Sequence, residues 1–292
     1  MNFELKGTIP ALVTPFTEDG QVDYNRLRAN VRFQIDCGVN GLVPLGTTGE
    51  TPTLHDDEKE KIAKLVIEEA AGKIPVIVGA GTNSTETTIN AAKKAEGWGA
   101  DALLVVNPYY NKPTQKGLYL HFKAVAESVK IPIVVYNIKG RTGVNVDTIT
   151  MAELAKIPNI VAVKEASGDI NQMKEVLANT DLIVLSGDDG ITLELMKEGG
   201  KGVISVAANL VPAKMVSLTN AALAGNWDDA GKIYKELQPL FDVEFIETNP
   251  IPIKAAMNMA GMAAGGYRLP LCEMMPENKE KLKNVLQEMK II

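Results

Sequence analysis

The sequence predicts an α/β fold, a (β/α)8 or TIM barrel with a C-terminal helical appendage. Three observations carry this. Eight apolar, β-branched runs of about five residues alternate with amphipathic stretches of helical period. Small residues hand the chain from helix to strand at Cys37-Gly-Val-Asn-Gly, Trp98-Gly-Ala-Asp-Ala and Gly200-Lys-Gly. After Gly225 the β-rich runs stop and only helical patterns remain.

The runs cover residues 9–13, 41–45, 76–79, 102–106, 133–136, 160–164, 182–186 and 203–206. Unbroken apolar runs are what strands covered on both faces show, as in a parallel sheet. Helical patterns follow each run, for instance over 57–71 and 114–129. Thr53 with Asp56 predicts a capping box at the start of the first of these. Ile74-Pro-Val-Ile-Val and Ile131-Pro-Ile-Val-Val enter two strands in nearly the same words. A dinucleotide-binding sheet wants G-x-G-x-x-G after its first strand, whereas Gly79-Ala-Gly-Thr-Asn-Ser lacks the third glycine and follows the third run. Residues 1–225 are therefore read as the barrel bearing the active site, and 226–292 as a helical domain packed on it. Its helices are expected over 226–245, 253–260 and 277–289, separated by Asn249-Pro-Ile-Pro and Leu269-Pro.

The chain has 292 residues, 46% hydrophobic and 23% charged, the make-up of an ordinary globular protein. A formal net charge of −6 provides no basic field for phosphates and argues against a nucleic-acid partner. No run approaches the roughly 18 apolar residues of a membrane span, and the first residues lack a signal-peptide pattern, so a cytoplasmic location is expected. Cys37 and Cys272 lie far apart, suggest no disulfide framework and are read as small hydrophobes. The only histidines, His55 and His121, lie beside no other ligand in sequence, so no metal site is expected.

Chemistry in such a barrel sits at the carboxyl ends of the strands. Lys164 ends the sixth run and is the one lysine inside any of the eight. Strand alternation puts Ile160, Ala162 and Lys164 on one face. Facing the barrel interior, Lys164 would be an amine in poor solvent. Desolvation disfavours an ammonium, and Schiff-base chemistry needs the free amine. The plainer alternative is a lysine that ends a strand and snorkels to water. Gly46-Thr47-Thr48-Gly49-Glu50 follows the second run; its amides could hold a carboxylate or phosphate, or it is a glycine-rich turn. Asn107-Pro-Tyr-Tyr110 ends the fourth run. Tyr136, on the face of Val134, is a proton relay or a core phenol. Arg141 in Gly-Arg-Thr-Gly is a carboxylate clamp or a solvated loop arginine. Asp188-Asp189 reads as a strand-end turn rather than a metal site, and Ile204-Ser-Val ends the eighth run. A lysine, a phenol, hydroxyls, an anion loop and an arginine at one rim are what imine chemistry on an oxo acid requires. It needs no metal or organic cofactor, because the protonated imine is the electron sink.

These motifs resemble the 4-hydroxy-tetrahydrodipicolinate (dihydrodipicolinate) synthase family, within the pyruvate-dependent class I aldolases, over nearly the whole chain. The carriers are Gly46-Thr-Thr-Gly-Glu, Asn107-Pro-Tyr-Tyr, Tyr136-Asn with Gly140-Arg-Thr-Gly, Val163-Lys-Glu-Ala-Ser-Gly, Leu185-Ser-Gly-Asp-Asp and Gly202-Val-Ile-Ser. The resemblance implies a lyase in which Lys164 forms a Schiff base with pyruvate, whose enamine attacks aspartate semialdehyde. Tyr136 would pass the proton, linked to solvent through Thr47 and Tyr110, the latter reaching into a partner's site. Thr48 and the Ile204 backbone would hold pyruvate, and Arg141 the carboxylate of the second substrate. The implied assembly is a homotetramer, a dimer of dimers. Thr47-Thr48 and Arg141 favour the synthases over sialic-acid lyases, which typically carry Ser-Thr. Remaining alternatives are another pyruvate aldolase acting on a sugar-derived or hydroxy-oxo acid, or a silent oxo-acid-binding barrel. Lys139 stands where the family often has proline, which predicts a freed Arg141 loop. Asn83, Tyr109 and Thr51 would line a lysine effector pocket, but Thr87 stands where sensitive members carry glutamate, and Asp56 and Lys59 replace histidines. Weak or no inhibition by lysine is therefore expected.

Overall fold

The computed structural model describes residues 4–292. Its strands are β1 (Gly7–Pro10), β2 (Ile77–Gly79), β3 (Ala102–Val106), β4 (Ile133–Asn137), β5 (Ile160–Glu165), β6 (Ile183–Ser186) and β7 (Gly202–Ser205). They form one parallel sheet in the order β1-β7-β6-β5-β4-β3-β2. The predicted run 41–45 closes the ring: Val43 bridges Ala11 beyond β1, and Leu42 bridges Val76 before β2. It forms isolated bridges rather than a strand because Pro44 has no N–H with which to extend the ladder. The Pro44 carbonyl still accepts from the Gly79 amide at 3.0 Å. The ring is thus a (β/α)8 barrel with one reduced member.

Alternation sorts the strand residues into two cores. Ile9, Ile77, Leu104, Val134, Ala162 and Ile204 fill the barrel interior. Leu103, Val105, Val135 and Val163 pack outward against the helices. One expectation fails here. Ile160 joins the outer core, not the face of Ala162 and Lys164. The β4–β5 register steps from Ile133↔Ile160 to Val134↔Ala162, so β5 carries one extra residue, and this bulge reverses the facing of everything before it.

The helix predicted over 57–71 is Asp56–Ala70, but Thr53 and Asp56 do not cap it. Thr53 Oγ1 donates to the Glu50 carbonyl, and the His55 amide donates to Glu58 Oε2 at 2.8 Å instead. The capping box lies two residues later than expected. Cys37 is half-buried and Cys272 exposed, both as free thiols; Cys272 is therefore no core hydrophobe. The C-terminal helices Trp227–Val243, Ile251–Met259 and Pro276–Glu288 share one apolar core with Val13, Val203 and Val206 of the barrel. Among the described residues, no helix is long and apolar enough to cross a membrane.

On the helix Gln115–Glu127, His121 is buried with one partner, Thr85 Oγ1 at 3.0 Å from Nδ1, and its Nε2 has none. Burial lowers its pKa from 6.5 to about 4. Between those values the unfolded chain binds more protons than the native one, so this residue's stability contribution is lost as pH falls from about 6.5 to 4. The loss is expected to be on the order of 2–3 kcal/mol. Denaturant midpoints against pH should show a shallower slope in His121→Leu than in the wild type; identical slopes would contradict this.

Candidate functional site

The carboxyl ends of β4 and β5 set the site. Tyr136 and Lys164 are register partners, and both face the interior. Lys164 is only 5% exposed, and its Nζ lies 4.2 Å from the Tyr136 ring centroid. Among the described residues no carboxylate or carbonyl binds that amine. Space for it comes from β6: a Cβ at Gly187 would lie 2.6 Å from Ala166 Cβ and 3.1 Å from Lys164 Cε. Gly187→Ala must therefore shift Ala166 and crowd the lysine stem. Turnover is expected to fall about 10- to 100-fold, with about 1–3 kcal/mol of destabilisation. Steady-state rates and melting curves check this, and an unchanged rate would refute the fit.

A second buried lysine gives a contrast. Lys254 is fully buried and donates to Glu50 Oε1 at 2.6 Å, Thr14 O at 3.0 Å and Gly266 O at 2.5 Å. Burial lowers its pKa, opposed by Glu50. All three ammonium protons are engaged, so Lys254 is a structural cation, whereas Lys164 is available to a carbonyl.

The last residues of β4 and β5, Asn137 and Glu165, point outward and brace the neighbouring loop. Glu165 is fully buried, accepting from Asn137 Nδ2 at 3.0 Å, the Ser167 amide at 2.8 Å and Gln172 Nε2 at 3.2 Å. Burial raises its pKa despite these donors. Asn137 Oδ1 accepts from Asn107 Nδ2 at 2.8 Å and from the Val146 amide at 3.0 Å. This network anchors both ends of the segment carrying Arg141. That segment is not freed by Lys139: it forms the helical turn Lys139–Thr142, tied by Thr142 Oγ1 to the carbonyls of Ile138 and Val144.

A cavity of about 450 Å³ opens over the barrel mouth, lined by Thr47, Thr51, Lys59, Tyr109, Tyr136, Ile138 and Arg141 among others. The structure thus gathers Tyr136, Thr47 and Arg141 around one space, with Lys164 against the tyrosine. Thr48 is buried behind the loop, where its Oγ1 accepts from Asn249 Nδ2 at 2.9 Å. The amides of Thr47 and Thr48 have no acceptor among the described residues, which leaves them available to an anion. Ile204 is buried in the interior core on β7. Tyr110 is not brought in: it is 89% exposed and does not line the cavity. Leu45, Glu50, Tyr110 and Lys112, which flank the mouth, all hold positive φ. Such left-handed non-glycine residues cost about 1 kcal/mol or more each and gather at functional sites.

Sequence reasoning missed Asn249. Besides holding Thr48, its carbonyl accepts from Arg141 Nη2 at 3.0 Å, so one residue ties the threonine loop to the arginine turn. It lies in a segment read only as a separator between helices.

Fold and site together define a (β/α)8 enzyme with its polar groups at the strand ends where this architecture does chemistry. The model of the dihydrodipicolinate synthetase family matches residues 4–289. The 4-hydroxy-tetrahydrodipicolinate synthase of Methanocaldococcus jannaschii is 49% identical over 98% of this chain and 99% of its own. A dihydrodipicolinate synthase structure from Thermotoga maritima superposes with a TM-score of 0.96 at 46% identity, covering 99% of each chain. A chloride-inhibited dihydrodipicolinate synthase from Acinetobacter baumannii, complexed with pyruvate, reaches 0.97 at 43% identity, covering 99% of this chain and 100% of that one. The chain belongs to the dihydrodipicolinate synthetase family.

Proposed function

We propose that this chain condenses pyruvate with aspartate 4-semialdehyde through a Schiff base on Lys164, giving 4-hydroxy-tetrahydrodipicolinate, the branch-point step toward diaminopimelate and lysine. The observation that carries the reading is a buried lysine without an ion-pair partner, packed on the Tyr136 phenol at the barrel rim. Relatives named for this activity, and a similar enzyme complexed with pyruvate, support the two substrates.

In this reading the Lys164 amine adds to the pyruvate ketone and water leaves, forming the protonated imine. Tyr136 moves the proton that leaves the methyl carbon, and the resulting enamine attacks the aldehyde carbon, whose oxygen takes up a proton. The semialdehyde's amine then displaces Lys164 from the imine carbon and closes the ring. Thr47, beside Tyr136 in the cavity, passes protons outward. Thr48 and the Ile204 backbone hold the oxo acid, and Arg141 takes the second substrate's carboxylate. Tyr110, exposed in a single chain, completes the relay in a second copy, within a homotetramer in the cytoplasm. Residues 226–292 serve as a helical domain that braces the mouth of the barrel formed by 1–225.

An assay offering pyruvate with the semialdehyde, beside sugar-derived and hydroxy-oxo acids, tests the substrate. Turnover with the semialdehyde is expected, and its absence would sink the reading. Lysine should act weakly. Thr51, Lys59 and Tyr109 line the cavity, but Thr87 is exposed and uncharged, and Asp56 is tied to Lys94 at 2.8 Å. With no carboxylate for an effector's ammonium, millimolar lysine is expected to slow turnover less than about twofold. Half-inhibition below about 1 mM would contradict this.

A further inference from the structure

Glu244 caps the C-terminal end of the helix Trp227–Val243 and is 1% exposed, yet among the described residues no donor reaches either of its carboxyl oxygens. Beside it lies another carboxyl, Asp189, also 1% exposed, in the turn after β6. Asp189 Oδ2 accepts the amides of Val206 at 2.8 Å and Ala207 at 3.0 Å, while its Oδ1 has no donor. Three buried carboxyl oxygens are thus left without a proton from any other group. Two carboxylates so placed cannot both ionise, and one proton between them turns a repulsion into a short, charge-assisted O–H···O⁻ bond.

Among the described residues no lysine, arginine or histidine pairs with either carboxyl, and no cluster of three acidic, histidine or cysteine side chains could hold a metal. Other titratable groups nearby are Asp188 in the same turn, Lys164 beyond it on β5, and Tyr234, whose hydroxyl donates to Gly190 O at 2.5 Å and which feels Asp242 and Glu194. Burial, the Asp189 charge and the more distant Asp188 charge push the Glu244 carboxyl well above the usual range.

The amides that Asp189 holds follow directly on β7. From the other side, Asn209 Nδ2 donates to Val206 O at 3.0 Å and Ala11 O at 2.8 Å. The segment leaving β7 is therefore fixed at two points, one of them governed by a residue of the C-terminal helices.

We propose that Glu244 and Asp189 share one proton and act together as positioning residues, clamping the Val206 and Ala207 amides and so setting the Ile204 backbone that receives the oxo acid. The positioning role rests on the function proposed above; the shared proton does not.

The test uses Glu244→Gln, which keeps a donor toward Asp189, and Glu244→Leu, which removes it. Glu244→Leu should raise the KM for pyruvate about tenfold and leave that for the semialdehyde within about twofold, while Glu244→Gln restores the pyruvate KM to within about twofold of wild type. An infrared difference spectrum, wild type minus Glu244→Gln at neutral pH, should contain the carbonyl band of a protonated carboxyl. Absence of the band, a Gln variant as impaired as Leu, or a Leu variant with unchanged pyruvate KM would each overturn the proposal. If Glu244→Leu fails to fold, the Gln variant and the band decide. If the wild type forms no imine with pyruvate, the positioning role falls with the proposed function, and the band alone still decides the shared proton.

Discussion

Lys164→Ala is expected to lower turnover by on the order of 10⁴-fold or more, with the fold intact. Without the amine no covalent link to the oxo acid forms, and the neighbouring groups have no imine on which to act. The other buried lysine, Lys254, cannot substitute, because Glu50 and two carbonyls take its three protons. Stability should change by only about 1 kcal/mol. The cavity left by the stem costs contacts, while removal of a poorly solvated amine from beside Tyr136 offsets them. Steady-state kinetics together with denaturant unfolding separate the two effects. Retained turnover in a folded variant would refute the role of Lys164; a collapse in stability would show that the amine serves the fold instead.

Lys254→Met should behave in the opposite way, losing stability first. Its ion pair with Glu50 is fully buried, and Glu50 is left with only the Arg268 amide at 3.2 Å. An uncompensated buried carboxylate of this kind costs about 3–5 kcal/mol. The damage reaches the site, because Glu50 ends the loop that carries Thr47 and Thr48, and Arg268 links that loop onward to Glu58 and the Thr53 carbonyl. Adding Glu50→Gln to Lys254→Met should recover part of the loss, since a neutral amide tolerates the dry setting. Chemical denaturation of the single and double variants measures this, and a single-variant cost below about 1 kcal/mol would contradict it.

The contrast between these two lysines also shows what the sequence made legible. The strands could be read because both faces are buried, which leaves unbroken runs of β-branched residues, and Lys164 stood out as the one charge within them. Two local details escaped. Pro44 deprived the 41–45 run of a ladder bond, and the extra residue in β5 turned Ile160 outward, since simple alternation cannot register a bulge. The larger omission is the C-terminal region. Asn249, Lys254 and Arg268 hold loops some two hundred residues earlier in the chain, and helical periodicity does not reveal which loop a helix will cover. One sign was present: Lys254 is the single charge in the otherwise apolar stretch Ile251–Met259, and a lone charge there demands a buried partner. Tyr110 carries the reverse lesson. Its motif resembles a site residue, yet in one chain it stands exposed and outside the cavity lining.

Borohydride reduction in the presence of pyruvate, followed by mass analysis of the peptide containing Lys164, addresses the imine itself. A three-carbon fragment should become attached to Lys164 and to no other lysine, and the labelled enzyme should be inactive. An unmodified Lys164, or label on Lys254, would contradict the assignment.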